Sequence, residues 1–266
     1  MAKTSTTAEA LRQQVLDDPN LNSVDSLGKI LRMMAQWRAT LIARTYIQHH
    51  GLKIFSGPFE GMEYVPYATE GCLVPRLIGC YESELHEDLL AFAQSGVDTV
   101  VDIGCAEGYY AVGLARLMPG ATVHAFDIDE KARRGCADLA RRNGVEGQVV
   151  IGGEFVGEMF ENFVGKNTLV FIDAEGFEDE IMLPDLYPGL KTVNIIMETH
   201  PAFMPGVVER MLERFGPTHE IAIRRQGPKT MTLPPWLQKL GHLDQLIAVW
   251  EFRATMTPWL VMRPRA

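Results

Sequence analysis

Residues 99 to 116 read TVVDIGCAEGYYAVGLAR, and this stretch decides the fold. A β-branched run ends at Asp102, and the small residues Gly104, Ala106 and Gly108 follow before a segment with the apolar spacing of a helix. Small residues let the backbone turn sharply and approach a ligand closely, while the start of the helix offers free N–H groups. The stretch therefore predicts the first strand, the ligand-binding turn and the first core helix of an α/β sheet.

The spacing of these small residues separates two classes of cofactor. A dinucleotide fingerprint has three steps between its second and third glycines, whereas this turn has two steps and then two more, after a carboxylate at the strand tip. Asp102 would repel a pyrophosphate but would attract the ammonium or sulfonium group of S-adenosylmethionine (SAM). The turn therefore favours SAM over NAD, and an NAD-dependent oxidoreductase is the disfavoured alternative.

A second carboxylate follows at the sequence spacing at which such sheets have the acid that binds a ribose. Residues 124 to 129 read HAFDID, so that Asp127 stands at the end of the second predicted strand, 19 residues after Gly108. In α/β cofactor domains an acid in this place binds the ribose hydroxyls. We therefore assign ribose binding to Asp127, whereas Asp129 fits the N-cap of the next helix.

Apolar runs alternate with helical segments from Asp98 onward, as is typical of βαβ units. The alternation predicts an α/β fold with a Rossmann-like, seven-stranded, mainly parallel sheet and helices on both faces. The predicted strands lie at 99–103, 122–126, 149–151, 168–172, 193–197, 220–223 and 246–252.

The chain divides into three predicted regions. Residues 1–53 are an N-terminal helical extension, 54–96 a lid made of a small β-hairpin and a helix, and 97–266 the SAM-binding core. The extension predicts packing on the core or on a second copy of the chain, so a homodimer through these helices is an open expectation. The apolar face that predicts this contact consists of Leu27, Ile30, Leu31, Met34, Leu41 and Ile42.

Two further strand tips are rich in ionisable groups. The fourth predicted strand leads into FIDAEGFEDE at 171–180, and the fifth leads into METHP at 197–201. In this topology both tips open on the edge of the sheet where the cofactor binds. The groups that they carry there include Asp173, Glu175, Glu178, Glu198 and His200.

These groups have the chemistry that methyl transfer to a hydroxyl needs. The acceptor oxygen must be aligned behind the methyl carbon, and its proton must be removed as the new bond forms. His200 is the natural base, because its ordinary pKa lies near working pH, and Glu198 or Glu175 would orient it. Asp173 is expected to face the methionine end of the cofactor or an acceptor hydroxyl.

A divalent metal is the alternative use of the same groups. Asp173, Glu175, Glu198 and His200 would hold it, and the metal would lower the pKa of a substrate hydroxyl. Carboxylate-rich ligation would suit Mg²⁺ or Mn²⁺. Since the sequence has no compact metal motif, the metal-free site is favoured.

The turn and Asp127 together resemble the class I SAM-dependent methyltransferases, over about residues 98 to 252. The D-x-E-G-x-E string at 173–178 resembles a motif of the FkbM-like subgroup, which methylates hydroxyls of natural products and sugars. Ala106 departs from the pattern, since the family usually has a glycine there. Further stretches fit the subgroup: FSGPFEGMEY at 55–64, LIGCYESEL at 77–85, ERFGPTHEI at 213–221 and WEFRATMTPWL at 250–260.

The resemblance implies a sheet with a reversed final hairpin, SAM lying across the strand tips, and in-line methyl transfer from sulfur. Asp102 and Asp173 are expected to join the cofactor site that the turn and Asp127 form. The resemblance implies that the first-turn residues Gly104, Ala106 and Gly108 contact the methionine portion of the cofactor, and that Glu154 contacts the adenine. Their positions also suggest cofactor contacts for Tyr109, after the turn, and for Ile128, beside Asp127.

The resemblance also implies where a substrate binds. In this family an element before the core closes over the site, so Tyr81 and Glu82 are expected to contact substrate or cofactor. Arg253, beyond the last predicted strand, would bind an anionic or sugar-like substrate.

The composition excludes several function classes. With 25 Lys plus Arg against 34 Asp plus Glu, the net charge is −9, which argues against a nucleic-acid partner because phosphates need a basic face. The sequence has no run of the ~20 apolar residues that would span a membrane, so no membrane partner is expected. Four cysteines without C-x-x-C spacing, in a chain with no secretory pattern, favour a cytoplasmic location.

These observations predict a cytoplasmic SAM-dependent methyltransferase that acts on a hydroxyl of a small polar metabolite, natural product or sugar. An amine or an acidic carbon is the alternative nucleophile. The competing class is a non-catalytic protein that binds SAM or its product and acts through the N-terminal helices. The intact acidic strand tips favour the enzyme.

Overall fold

The structure, a computed structural model, describes residues 2–17, 20, 23–68 and 72–265. Parts of the predicted N-terminal extension, and residues 69–71 of the predicted lid, lie outside the described residues. Within the described part no helix is both long and apolar enough to cross a membrane.

A seven-stranded sheet forms the centre of the molecule. Its order is β3-β2-β1-β4-β5-β7-β6, parallel from β3 to β5, with β7 antiparallel to both of its neighbours. The predicted sheet and the reversed final hairpin are confirmed. The strands are β1 Thr99–Ile103, β2 Thr122–Phe126, β3 Val149–Gly152, β4 Thr168–Ile172, β5 Asn194–Glu198, β6 His219–Arg224 and β7 Trp259–Pro264.

The last predicted strand, at 246–252, is wrong. Most of this segment belongs to a helix that ends at Val249, and β7 comes later in the chain. A short apolar run fits a buried strand and a helix equally well. Here Ile247 and Ala248 are buried while Leu246 is 52% exposed, which is the one-sided burial of a surface helix.

Helices cover both faces of the sheet. Alternate residues of a strand point to opposite faces, so Val100 and Phe171 join one hydrophobic core and Val101 and Val170 join the other. The helices are α1 Ala2–Leu16, α2 Val24–His50, α3 Leu73–Ile78, α4 His86–Gln94, α5 Tyr109–Leu117, α6 Glu130–Arg142, α7 Glu178–Ile181, α8 Val207–Phe215 and α9 His242–Val249.

The N-terminal helix α2 packs on α3 and α9 with a face that only partly matches the predicted one. Its buried side chains include Ala39, Ile42 and Tyr46, whereas Leu27, Leu31 and Met34 of the predicted apolar face are 53%, 67% and 54% exposed. Small alanines allow the close approach of helices that the longer leucines would prevent. The homodimer through this region stays a prediction.

The predicted hairpin of the lid is present only as a closed turn. A single bridge between Lys53 and Glu63 holds its ends, and the segment between them is irregular. The helix predicted after it consists of a short 3-10 turn, Ser83–Leu85, that leads into α4. The division into three regions stays a prediction.

Candidate cofactor and acceptor site

The turn after β1 is shaped by backbone conformations that favour glycine. Gly104, Ala106 and Gly108 have φ values of 87°, 47° and 96°. A Cβ atom on Gly104 would lie 1.9 Å from the carbonyl oxygen of Asp173, so only glycine fits against the end of β4. Ala106 tolerates the left-handed region at a cost of about 1 kcal/mol. The first strand and the fourth therefore meet in direct backbone contact at this turn.

Asp127 ties this turn to the end of β2. One carboxylate oxygen accepts a hydrogen bond from the Ala106 N–H at 2.9 Å, and the other accepts from the Asp129 N–H at 2.8 Å. Each oxygen keeps a further lone pair, and the side chain is only half-buried. Asp129 caps α6 by accepting from the Lys131 N–H, as its sequence position predicts. Asp127 thus stays available for a ligand's hydroxyl groups.

Asp102 is a buried acid beside the same turn. It is 1% exposed, and its Oδ2 atom has no hydrogen-bond partner. Burial raises the pKa of Asp102 to about 8, and the nearby charge of Asp127 contributes to the shift. A cationic group placed beside Asp102 would remove this cost, so the residues of the turn fit the ammonium group of SAM.

The remaining predicted cofactor contacts are placed differently from one another. Ile128, next to Asp127, is 82% exposed, and Glu154 after β3 is exposed, so both side chains can border a ligand. Tyr109 does not: its ring is buried against Phe59 and Tyr81. Its side chain packs the lid onto the start of α5, because Tyr109 is the first residue of this helix.

The acids at the ends of β4 and β5 gather around one imidazole. The Nε2 atom of His200 lies 3.6 Å from Asp173 Oδ1, 3.7 Å from Glu175 Oε2 and 3.7 Å from Glu198 Oε2. The two strands are direct neighbours, with Ile172 paired to Met197, so their tips meet at one edge. The structure therefore brings together the residues that the sequence assigned to acid–base chemistry or to a metal.

Glu178 orients His200, a role that the sequence analysis gave to Glu198 or Glu175. Its carboxylate contacts His200 Nδ1 at 3.1 Å and accepts from the N–H groups of Ala174 and Gly176 at 2.9 Å each. Glu178 has this role because it is the first residue of α7, where its side chain folds back over the preceding loop. The second glutamate of the D-x-E-G-x-E string was the available signal.

The acids around His200 shift the pKa values of the cluster. Burial raises the pKa of Asp173 well above its ordinary value, and the charge of Glu198 adds to the rise. Burial lowers the pKa of His200, but the hydrogen bond with Glu178 and the surrounding carboxylates outweigh it, so that the pKa is raised. Asp173 and His200 therefore hold protons more tightly than they would in water.

The three predicted substrate residues lie together in a network under the lid. Arg253 forms ion pairs with Glu82 and with Glu198, and its guanidinium lies 6.0 Å from the centre of the Tyr81 ring. The other carboxylate oxygen of Glu82 accepts from the Tyr110 hydroxyl, so both of its oxygens are engaged. Burial raises the pKa of Glu82 to about 8. Glu82 is thus a structural acid, and Arg253, with 21% of its side chain exposed, is the more accessible of the pair.

Glu198 joins this network to the cluster. Its Oε1 atom accepts from Arg253 and from the Thr257 hydroxyl, the latter at 2.6 Å, while Oε2 faces His200. Thr257 and Glu251, which pairs with Arg253 at 3.1 Å, were missed in the sequence because nothing local marks their partners. Glu198 is therefore held by the network on one side and faces the cluster on the other.

Comparisons with known proteins give weak matches. The chain matches no family model. A stretch of 72 residues, 27% of this chain, is 43% identical to a ribosomal protein L11 methyltransferase from Pelotomaculum thermopropionicum. The matched stretch spans only 22% of that relative's length.

Several solved structures are similar to this chain at low sequence identity. An O-methyltransferase from Bacillus cereus in complex with S-adenosylhomocysteine (SAH) is 13% identical, with 66% of this chain and 78% of that chain covered and a TM-score of 0.47. The O-methyltransferase TomG from Streptomyces achromogenes, in complex with SAM, is 12% identical, with coverage of 86% and 90% and a TM-score of 0.48. Cofactor-bound Rv0187 from MTB is 13% identical, with 94% of both chains covered and a TM-score of 0.48. These identities are too low to transfer a substrate to this chain.

Proposed function

We propose that the protein is a SAM-dependent methyltransferase that transfers a methyl group to a hydroxyl of a small polar metabolite, natural product or sugar. The observation that carries the proposal is the contact between the Gly104 turn and the end of β4. This contact puts a turn suited to a cationic, ribose-containing cofactor next to the cluster around His200.

The cofactor contacts follow from the geometry of the turn. Asp127 takes the ribose hydroxyls with its remaining lone pairs, and the backbone at Gly104, Ala106 and Gly108 frames the methionine portion. The unpartnered carboxylate oxygen of Asp102 provides the negative charge for the ammonium group. Ile128 and Glu154 border the adenine.

The cofactor supplies the methyl group, and this chain positions the acceptor. As the oxygen–carbon bond forms, the carbon–sulfur bond would break with its electron pair staying on sulfur, and SAH would be released. The hydroxyl proton passes to Nε2 of His200, which lies beside Asp173 and Glu175. Arg253 is the proposed contact for a polar group elsewhere on the acceptor.

Calorimetric titration with SAH tests the cofactor assignment. Wild-type protein should bind SAH with a micromolar Kd, and Asp127→Ala should weaken binding about 100-fold, because hydrogen bonds to a charged group are worth about 1.5–3 kcal/mol. Asp129→Ala is the matched control, since it removes a neighbouring acid that caps a helix and should bind SAH within about twofold of wild type.

Three results would count against this assignment. Folded wild-type protein that binds no SAH, or an Asp127→Ala variant that binds it normally, would contradict it. Tight binding of NADH in the same titration, without binding of SAH, would favour an oxidoreductase instead.

A further inference from the structure

Most buried acids of the described chain are paired with a lysine or arginine. Glu84 and Glu251 share Lys229, at 2.8 Å and 2.6 Å. Asp88 pairs with Arg224 at 2.6 Å, and Glu82 pairs with Arg253. Charge compensation of buried acids is therefore the rule in this fold, as the cost of isolated buried charge requires.

The cluster of Asp173, Glu175 and His200, like the buried Asp102, departs from this rule. Among the described residues, neither Asp173 nor Glu175 has an arginine or lysine within 4 Å, and both instead face the imidazole of His200. The Oδ1 atom of Asp173 is buried and accepts no hydrogen bond within the described part of the chain. The two carboxyl groups thus face a histidine and, among the described residues, no lysine or arginine.

The imidazole of His200 is held with one nitrogen directed into the cluster. Its side chain is 5% exposed, and Nδ1 is engaged by Glu178 at 3.1 Å. The Nε2 atom has carboxylate oxygens at 3.6–3.7 Å, beyond hydrogen-bond distance. A metal-binding histidine usually has one ring nitrogen hydrogen-bonded to a carboxylate, while its other ring nitrogen faces the metal and the oxygen ligands. Nδ1 and Nε2 of His200 have these two surroundings.

We propose that Asp173, Glu175 and His200 bind a divalent cation at the common end of β4 and β5. One donor atom from each of the three residues lies within 4.8 Å of the other two. Donors that are about 2.1 Å from one cation lie roughly 3–3.5 Å apart, so the gaps of 3.6 Å and 3.7 Å to His200 would close with shifts of a few tenths of an ångström. The two carboxylates, whose donor atoms lie within 4.8 Å, would approach each other by up to about 1.5 Å. Two carboxylates and one imidazole suit Mn²⁺ better than Mg²⁺, which prefers oxygen alone. Glu198 is already held by Arg253 and lies beside the three ligands.

The cation deepens the proposed function, on which its catalytic meaning rests. An acceptor hydroxyl bound to the cation would lose its proton more easily, because the positive charge would stabilise the alkoxide. The proton would pass to Oε2 of Glu198, which faces the cluster and is not one of the three ligands. His200 would then bind the cation through Nε2. It would no longer act as the base that its sequence position suggests. The cation would lie beside the cofactor turn, since Asp173 contacts Gly104.

Binding of Mn²⁺ to chelator-treated full-length protein tests the site without any acceptor. Loss of the electron paramagnetic resonance signal of free Mn²⁺ should show one ion per chain with a micromolar Kd. Glu175→Gln and His200→Ala should each weaken binding at least tenfold, and Glu178→Gln should weaken it about 10-fold to 100-fold through the histidine. Glu180→Gln, an exposed acid on the same short helix, is the control and should bind like wild type.

The outcomes separate this proposal from the proposed function. Absence of saturable Mn²⁺ binding, or binding that Glu175→Gln leaves unchanged, would overturn the cation site. Since Glu175 is 54% exposed, its variant should fold, and an unchanged SAH titration would verify this. Wild-type protein that binds SAH but no Mn²⁺ would remove the cation alone, whereas protein that binds Mn²⁺ but no SAH would remove the methyltransferase alone.

Discussion

Two groups of acids lie at the same edge of the sheet, and they differ in whether a lysine or arginine pairs with them. The network under the lid surrounds Glu82 and Glu251 with the fixed cations Arg253 and Lys229. The cluster around His200 has no lysine or arginine on Asp173 or Glu175 among the described residues. Only Glu198 belongs to both.

The difference separates acids that hold the structure from acids that are available for chemistry. A paired buried acid stabilises the fold only while its partner stays, whereas an unpaired group of acids costs stability and persists where function needs it. The network therefore closes the lid onto the sheet, and the cluster is the place for an incoming group.

Arg253→Met should break the network and have the largest effect on stability. The variant leaves Glu82, Glu198 and Glu251 without their shared guanidinium, and removal of one partner of a buried ion pair costs about 3–5 kcal/mol. Urea unfolding at pH 7 measures the loss. Arg225→Met, at an exposed position, is the matched control and should stay within about 0.5 kcal/mol of wild type. Equal stability of the two variants would show that the network does not hold the lid.

The Asp102→Asn variant should differ from wild type in how its free energy of unfolding depends on pH. The pKa of Asp102 is about 8 in the folded chain and about 3.9 in an unfolded one, so the folded state binds the extra proton between these values. The contribution of Asp102 to stability is therefore fully present below about pH 4 and is lost as the pH rises through 8.

The variant lacks this titration. Measured as the difference from wild type in urea unfolding, its relative stability should rise by roughly 3 kcal/mol between pH 5 and pH 9. The expected rise is smaller than the value that ~1.4 kcal/mol for each pKa unit would give, because buried sites relax when they ionise. A difference that does not change with pH would mean that Asp102 is ionised throughout this range.

Glu175→Gln should have the smallest effect on stability, in contrast to the same change in the network. Loss of one acid from the unpaired cluster relieves repulsion, so the free energy of unfolding in chelator-treated buffer should stay within about 0.5 kcal/mol of wild type or rise. Glu251→Gln removes an acid that Lys229 and Arg253 share, and should cost about 2 kcal/mol. Urea unfolding of both variants at pH 7 measures the contrast, and similar losses would erase the distinction between the two groups.

The parts of the site that depend on local chain geometry could be predicted from the sequence. A strand, a small-residue turn and a helix follow one another within residues 99–116, so the turn and its neighbouring acid are visible in one window. Asp127 follows at a spacing that βαβ geometry fixes. The meeting of Asp173 with His200 follows from the topology, because adjacent parallel strands end at the same edge.

The parts that depend on pairing between distant segments could not be predicted. Arg253 and Glu82 are 171 residues apart in the chain, and no spacing rule connects them. The ring of Tyr109 packs against the lid because of the lid's position, which periodicity does not give. The segment 246–252 was misassigned because eight residues of apolar helix resemble a strand until the packing partner is known.

The position of β7 has a consequence for the order in which the chain can complete its structure. Strand β6 pairs only with β7 within the described sheet, and β7 is inserted between β5 and β6. During synthesis from the N-terminus, Glu82 and Glu198 leave the ribosome well before Arg253, Thr257 and the strand that follows them. The nascent chain therefore has an open sheet edge and uncompensated acids until Arg253 and β7 emerge, and the contacts that hold the lid cannot be completed before then.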